Sequence, residues 1–189
     1  EQINIYGNDI TQENVIRDSL EVDEGDPFNE LLHAKSLNNL KAKNIFKTVD
    51  ADILAGSDSS TKIINIKVEE KPTGEIMLGA GVGTEGGTIG FSVSENNFMG
   101  QGIKLSTSLK ITEDTIRGNF STLTPNYKYS GKSLTTSIES DVTDKMADSG
   151  YESKKSGFSF GTTLEQYEDL FFSPSFSTYF ENLTTDSTA

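Results

Sequence analysis

The chain has 189 residues, no cysteine, one histidine and a formal charge of −13. That length suits one or two domains, and the negative balance argues against nucleic-acid binding, which wants clustered Lys and Arg. Without cysteine there are no disulfides or Cys-ligated metals, no run of about 18 apolar residues offers a transmembrane helix, and no signal peptide is evident. Apolar residues make up only 33%, yet there are 17 glycines, 11 Phe and 6 Tyr. A barrel wall one residue thick needs apolar groups on one face only, so a membrane β-barrel remains compatible with this composition.

From the N-terminus, Ile3 and Tyr6 lie in a strand-like run stopped by Gly7-Asn8. Thr11 is placed as a helix N-cap, with Gln12 and Glu13 in the first turn. Val15, Ile16 and Leu20 share the face of that helix. The residue before Pro27 avoids helical angles, so "EGDPFN" breaks it. Asn29 caps a second helix, to about residue 43, with Leu32, Leu37 and Leu40, joined by Leu31 and Ala34, as its buried face. Asn44 suits the left-handed conformation that ends a helix. Phe46, Val49, Ala51 and Ile53 include an alternating set. "AGSDSS" makes a hairpin-like loop, and Ile64, Ile66 and Val68 alternate against Asn65 and Lys67 until Pro72 stops the run. The order is strand, helix, helix, strand, strand.

This order, carried by "INIYGN", "VIRDSL", "EGDPFN", "NIFKTVDADI" and "INIKVEEKP", resembles a POTRA module. Asn44 stands where that family usually has Gly, a tolerable left-handed substitute. The resemblance implies an α+β module of three strands with two helices on one face. It also implies that the strand bearing Lys47, Val49, Ala51 and Ile53 is a sheet edge, able to accept an extended segment by β-augmentation.

At Pro72 the rhythm changes to period two. Ile76, Leu78, Ala80 and Val82 alternate with Met77, Gly79, Gly81 and Gly83. Six further runs follow, carrying Ile89 to Val93, Ile103 to Ile111, Ile116 and Phe120, Leu134 to Val142, Phe158 to Leu164, and Phe172 to Phe180. Each is roughly 9 to 12 residues, long enough to cross a bilayer when tilted. Phe98, Tyr127, Tyr129, Tyr151 and Tyr167 fall near strand ends, where aromatic girdles sit. "TEGG" reads as a tight turn and "TDKMADSGYES" as a longer, exposed acidic loop, with short and long connections alternating between the two membrane faces.

The stretch "VEEKPTGEIMLGAGVGTEGGTIGFSVSENNFMGQG" is similar to the POTRA-to-barrel junction of the BamA family of outer-membrane β-barrel assembly proteins, and "STLTPNYKYSGKSL" to a later hairpin turn of that family. The resemblance implies two domains: residues 1–72 as a POTRA module in the periplasm, and residues 73–189 as the N-terminal part, about seven strands, of an antiparallel barrel in the bacterial outer membrane. It implies that Ile76, Met77, Leu78, Gly79, Ala80, Gly81, Val82 and Gly83 form one side of a lateral seam where an incoming strand pairs. The implied partners are unfolded outer-membrane proteins, accessory outer-membrane lipoproteins and the lipid bilayer, with no nucleic acid. Two other functions share the pattern: a two-partner secretion transporter and a soluble adhesin-like binding protein. Seven strands leave unpaired edges, and the start at Glu1 is not Met, so the expectation is a piece of a longer protein.

No enzyme is expected. His33 on the second helix reads as a surface or packing residue, and no nucleophile–His–acid set can be built without it. "GAGVGTEGG" lacks the Lys and Ser/Thr of a phosphate loop. Asp141, Asp144 and Asp148 match no calcium-loop spacing. No cofactor is implied. Glycines in the first strand weaken its packing and permit another backbone to come close, or else relieve crowding in a lumen.

Overall fold

A computed structural model describes residues 2–58, 60–83, 86–167 and 170–186, without the Tyr129 side chain. The expected turn at Thr84-Glu85, Ser59 of the "AGSDSS" loop and the Tyr129 ring therefore lie outside the described residues. The chain divides into two compact units. One holds the chain up to Thr73 together with Asn96–Ile103; the other holds Gly74–Glu95 and the chain from Lys104 onward.

The first unit contains β1 (Gln2–Tyr6), α1 (Glu13–Arg17), α2 (Glu30–Ala42), β2 (Phe46–Ala55) and β3 (Lys62–Glu70). β3 is central, parallel to β1 and antiparallel to β2. Period two puts Ile64, Ile66 and Val68 of β3 on one face. Ile3 and Val49 join them by register, and this face is buried with Val15 and Ile16 of α1 and Leu40 of α2. The opposite face is polar: the Asn4 amide donates to Asn65 Oδ1 at 2.9 Å, and Lys67 pairs with Asp52 at 2.7 Å. The β-α-α-β-β order is thus the observed one.

Several local signals act as read. Asn29 caps α2, its side-chain oxygen accepting the Leu31 and Leu32 N–H groups. Asn44 takes φ 58° just after that helix. Two expectations are corrected. Thr11 is not a cap: α1 starts at Glu13 with no side-chain cap bond, and Thr11 is buried. The buried face of α2 is His33, Ser36 and Leu40, whereas Leu31 is 81% exposed and Leu32 is also exposed. The polar side turns inward because its groups find partners there. Ser36 Oγ accepts the Glu21 N–H and donates to the Leu32 carbonyl, both at 2.8 Å, and the His33 ring lies 5.9 Å from that of Phe28.

The second unit is one sheet of β4 (Gly74–Gly83), β5 (Gly86–Phe98), β6 (Ile103–Thr112), β7 (Thr115–Thr124), β8 (Lys132–Lys145), β9 (Tyr151–Tyr167), β10 (Leu170–Phe172) and β11 (Ser175–Thr185). Neighbours in sequence are neighbours in the sheet from β4 to β9. β10 and β11 both pair antiparallel with β9, at consecutive registers, and read as one strand interrupted at Ser173-Pro174. Pro has no N–H to give a ladder, which accounts for the break. The sheet therefore has seven lanes. β8 and β9 run to 14 and 17 residues, longer than expected. Their ladder continues to Lys145 opposite Tyr151, so the expected long acidic loop is reduced to one helical turn, α3 (Met146–Ser149), and Gly150. Connections at both ends of the sheet are short among the described residues, so the expected alternation of short and long does not appear in this part.

Register sorts the residues into two faces. Leu105, Leu109, Ile111, Ile116, Phe120, Ile138, Phe158, Phe160 and Phe176 share one. The other bears a row of charge across five strands, with Lys110 opposite Arg117, then Asp141, Lys155 and Glu181. Arg117 Nε donates to Asp141 at 2.7 Å, and Lys155 Nζ lies 4.5 Å from the Tyr179 ring centroid. Every buried hydrophobic residue among those described belongs to the first unit.

Candidate functional site

β4 carries the residues expected at the seam. It lies at the end of the strand order and pairs only with β5 among the described residues. Successive residues of a strand turn their N–H and C=O groups alternately to its two sides. About half of the backbone polar groups of β4 therefore point away from β5 without a ladder partner. In lipid an unsatisfied group of this kind costs several kcal/mol, which makes the edge a strong acceptor for another strand.

The two faces of β4 differ. Ile76, Leu78, Ala80 and Val82 continue the apolar face through Val93, Phe91 and Ile89 of β5; Leu78 is 79% and Val82 92% exposed. Met77, Gly79, Gly81 and Gly83 stand opposite Ser92, Gly90, Thr88 and Gly86. A Cβ built on Gly79, Gly81 or Gly83 would meet nothing within 4 Å. No crowding within the described chain explains these three glycines. Gly79 and Gly81 floor a trough of about 410 Å³ whose lining also includes Met77, Gly90, Ser108 and Lys110.

The module's candidate edge is β2, which among the described residues pairs only with β3. Val49 is buried in the core and Ala51 packs against it. Lys47 sits at a register shift between Phe46 and Thr48 and reaches Glu69 at 2.7 Å, while Ile53 is exposed. The bulge thus separates Lys47 from the alternation that Val49 and Ala51 follow. β2 offers free backbone groups, with its inward side chains committed to the core.

A third feature was not anticipated. The turn after β5, residues 99–102, packs within the first unit. Asn97 is buried and ties three segments: its amide donates to Thr11 Oγ1 at 2.8 Å, and its Oδ1 accepts the Gly102 N–H at 2.8 Å. The Gln12 N–H donates to the Gly100 carbonyl at 2.8 Å. Gly100 has φ +70°, and a Cβ there would stand 2.1 Å from the Ile10 carbonyl oxygen, so only glycine fits. From β3, the Glu70 carboxylate accepts the Ile10 and Thr11 N–H groups at 2.9 and 2.6 Å. Burial alone would raise the Glu70 pKa, but hydrogen bonds from Thr11, Ile10 and Asp9 outweigh it and hold the carboxyl below its ordinary value. The signal in sequence is "NNFMGQG", two asparagines ahead of two closely spaced glycines.

His33 is a packing residue whose pKa is lowered by burial. Asp141 is engaged by Arg117, and no group of three or more His, Cys, Asp or Glu among the described residues is placed to hold a metal ion.

Comparison with known proteins agrees with this geometry. Residues 1–71 match the POTRA family, described as surface antigen variable number repeat. The outer membrane protein assembly factor BamA of Neorickettsia risticii is 32% identical over 110 residues, 58% of this chain and 15% of that protein. BamA of Neisseria meningitidis is 27% identical over 135 residues, 70% of this chain and 17% of that protein. Among solved structures, BamA from Haemophilus ducreyi lacking POTRA domains 1-3 superposes with a TM-score of 0.82 at 22% identity, covering 98% of this chain and 36% of that one. CdiB from Acinetobacter baumannii gives 0.57 at 13% identity, covering 97% and 37%. The chain thus spans less than a fifth of the length of these curated relatives.

A POTRA module running directly into antiparallel strands with one continuous apolar face defines a periplasmic module joined to part of an outer-membrane β-barrel. Residues 1–71 carry a POTRA module, and the chain is similar to BamA-type outer membrane protein assembly factors.

Proposed function

We propose that this segment serves the assembly and insertion of β-barrel proteins into the outer membrane, with the free edge of β4 as template for an incoming strand. What carries the reading is the state of β4: a strand with an unladdered edge, where a Cβ added at Gly79, Gly81 or Gly83 would meet nothing within 4 Å in the described chain. Pairing with that edge satisfies backbone groups on both strands, so the step needs no catalytic residue and no local energy source. The partners are unfolded outer-membrane proteins and the bilayer. The second free edge, β2, is the place for an accessory outer-membrane lipoprotein to add a strand.

The test uses the full-length protein in cells. Single cysteines on β4, at Leu78 or Gly79, are paired with cysteines along the terminal strand of a porin caught during insertion. Register-dependent disulfides, together with loss of inserted porins on depletion, are the expected result. Unchanged porin insertion on depletion would overturn the proposal. The CdiB likeness keeps a second reading in view, secretion of one partner through the pore. In that case depletion would block export of a single protein and leave porins in place.

A further inference from the structure

The three-stranded sheet of the first unit has two outer strands, and only one of them is covered. β3 is central, so β1 is an edge as much as β2 is. An open edge is a row of backbone donors and acceptors that an extended segment can join. On β1 part of that row is already taken. The Ile3 N–H donates to Glu24 Oε1 at 3.0 Å, and Arg17 Nη2 donates to the Ile3 carbonyl at 3.1 Å. Successive residues of a strand face alternate sides, so both groups of Ile3 point away from β3, and Ile5 is the next residue to face the same way. A neighbouring strand would put its own C=O and N–H about 2.9 to 3.0 Å from these atoms. Glu24 and Arg17 stand in those places.

Both side chains are themselves held. Arg17 ends α1, where its Nε donates to Glu13 Oε1 at 2.7 Å one turn back, and its Nη1 lies 3.5 Å from Glu24 Oε1. Glu24 lies in a turn closed by the Asp26 N–H on the Asp23 carbonyl at 3.2 Å. The Ile3 N–H holds the Glu24 carboxyl below its ordinary value, and Arg17 adds to the depression. β2 carries ion pairs too, but they run the other way. Lys47 reaches Glu69 and Asp52 reaches Lys67, both at 2.7 Å. Glu69 and Lys67 belong to β3, so these pairs lie inward over the sheet and not along its outer edge.

We propose that Arg17 and Glu24 are an edge guard, which shuts β1 against strand addition and directs an extended partner to β2. A segment adding at β1 has to break two charge-assisted hydrogen bonds and an ion pair before it makes bonds of its own, whereas β2 asks for none of this. The role of β2 rests on its free edge taking a partner strand. The closure of β1 does not, and β1 is tested alone.

The experiment traps β1 against a second copy of itself in the full-length protein, reconstituted in a cysteine-free background. If two β1 edges pair antiparallel through Ile3 and Ile5, Asn4 of one copy faces Asn4 of the other at a Cα separation of about 4.5 Å. That separation suits a disulfide. Asn4→Cys alone is expected to stay monomeric under mild oxidation. Adding Arg17→Ala and Glu24→Ala is expected to give the disulfide dimer, with hydrogen exchange at the Ile3 amide rising about 5- to 10-fold. Glu24→Gln with Arg17 intact keeps an acceptor for the Ile3 N–H and should keep the edge closed. Equal dimer with and without the two charged side chains would overturn the proposal. So would fast Ile3 exchange without any dimer, because something else then closes β1, and so would Ile3 exchange that ignores the double substitution. Should the double variant lose the exchange protection of α2, Glu24→Ala by itself decides through the same two readouts.

Discussion

The two units solve the placement of apolar side chains in opposite ways. The first buries Ile16, Leu40 and Ile66 almost completely inside an α+β sandwich. The second shows Ile76, Leu78, Ile138 and Phe180 at its surface, with no buried hydrophobic residue among those described. Apolar residues are about as frequent in one as in the other, so apolar content alone does not separate them. What separates them is period and partner. Helices across one sheet face create an interior, whereas a single-layer sheet has none and needs lipid to play that part.

The largest effects should come from breaking each solution in its own terms. Leu40→Ala in the module removes a side chain that is fully buried, and should cost about 2 to 5 kcal/mol in chemical denaturation, the transfer and cavity contributions together. Leu78→Ala leaves no cavity, so its cost should stay below about 2 kcal/mol, the loss of lipid contact alone. Equal costs would mean that β4 is packed against something other than lipid.

On the sheet, Ile138→Arg places a charge on the apolar face and should cost about 2 to 4 kcal/mol near the bilayer midplane. Ser137→Arg, one residue away on the polar face, should cost far less. Ser137 Oγ lies 2.6 Å from Ser159 Oγ, so that variant loses one hydrogen bond between groups that face the wet side. Reversal of this order in reconstituted protein would exchange the two faces.

Asn97→Ala addresses the contact by which residues 96–103 join the first unit. It removes the Asn97 donor from the buried Thr11 hydroxyl and strands the Gly102 N–H, a loss of about 1 to 3 kcal/mol. Protease sensitivity at residues 99–102 should rise in step. Gly100→Ala should do the same by a different route, through the Ile10 carbonyl and a φ of +70°.

Legibility followed the reach of each interaction. Asn29 and Asn44 act within two or three residues of themselves, so their roles were plain from the sequence. The period-two runs were equally plain, because one face of a strand answers to one solvent. Thr11 misled because its partners are distant: its N–H donates to Glu70 and its hydroxyl oxygen accepts from the Asn97 amide. Read locally it had the form of a cap. The buried face of α2 misled for a related reason. Hydrophobicity favoured Leu31 and Leu32, but Ser36 and His33 are satisfied by the loop that precedes the helix, and that decides which side turns inward. At β4, the glycines and the alternation were visible, whereas the free edge is a property of the whole sheet.

The smallest expected effect concerns pH and the module alone. Glu70 has a folded-state pKa below the ordinary 4.5, held down by hydrogen bonds from residues 9–11 against the opposing effect of burial. A carboxyl depressed in this way contributes stability that is complete above its unfolded pKa and is lost as pH falls through the folded value. The loss therefore begins below about pH 4.5. Protonation removes an acceptor from the Ile10 and Thr11 N–H groups and so loosens the segment that Asn97 and Gly100 grip. Glu24 titrates in the same direction, lowered by the Ile3 N–H despite the opposing effect of burial, with Arg17 adding to the depression, so it must be separated. Denaturation midpoints between pH 3 and 6 for Glu70→Gln and Glu24→Gln make that separation. With Glu70→Gln the acid slope should flatten, and the Asn97→Ala penalty should change, because the two share Thr11. With Glu24→Gln the slope should flatten while the Asn97→Ala penalty stays the same. An Asn97→Ala penalty that ignores both substitutions would show that Asn97 holds the turn through Gly102 independently of Glu70.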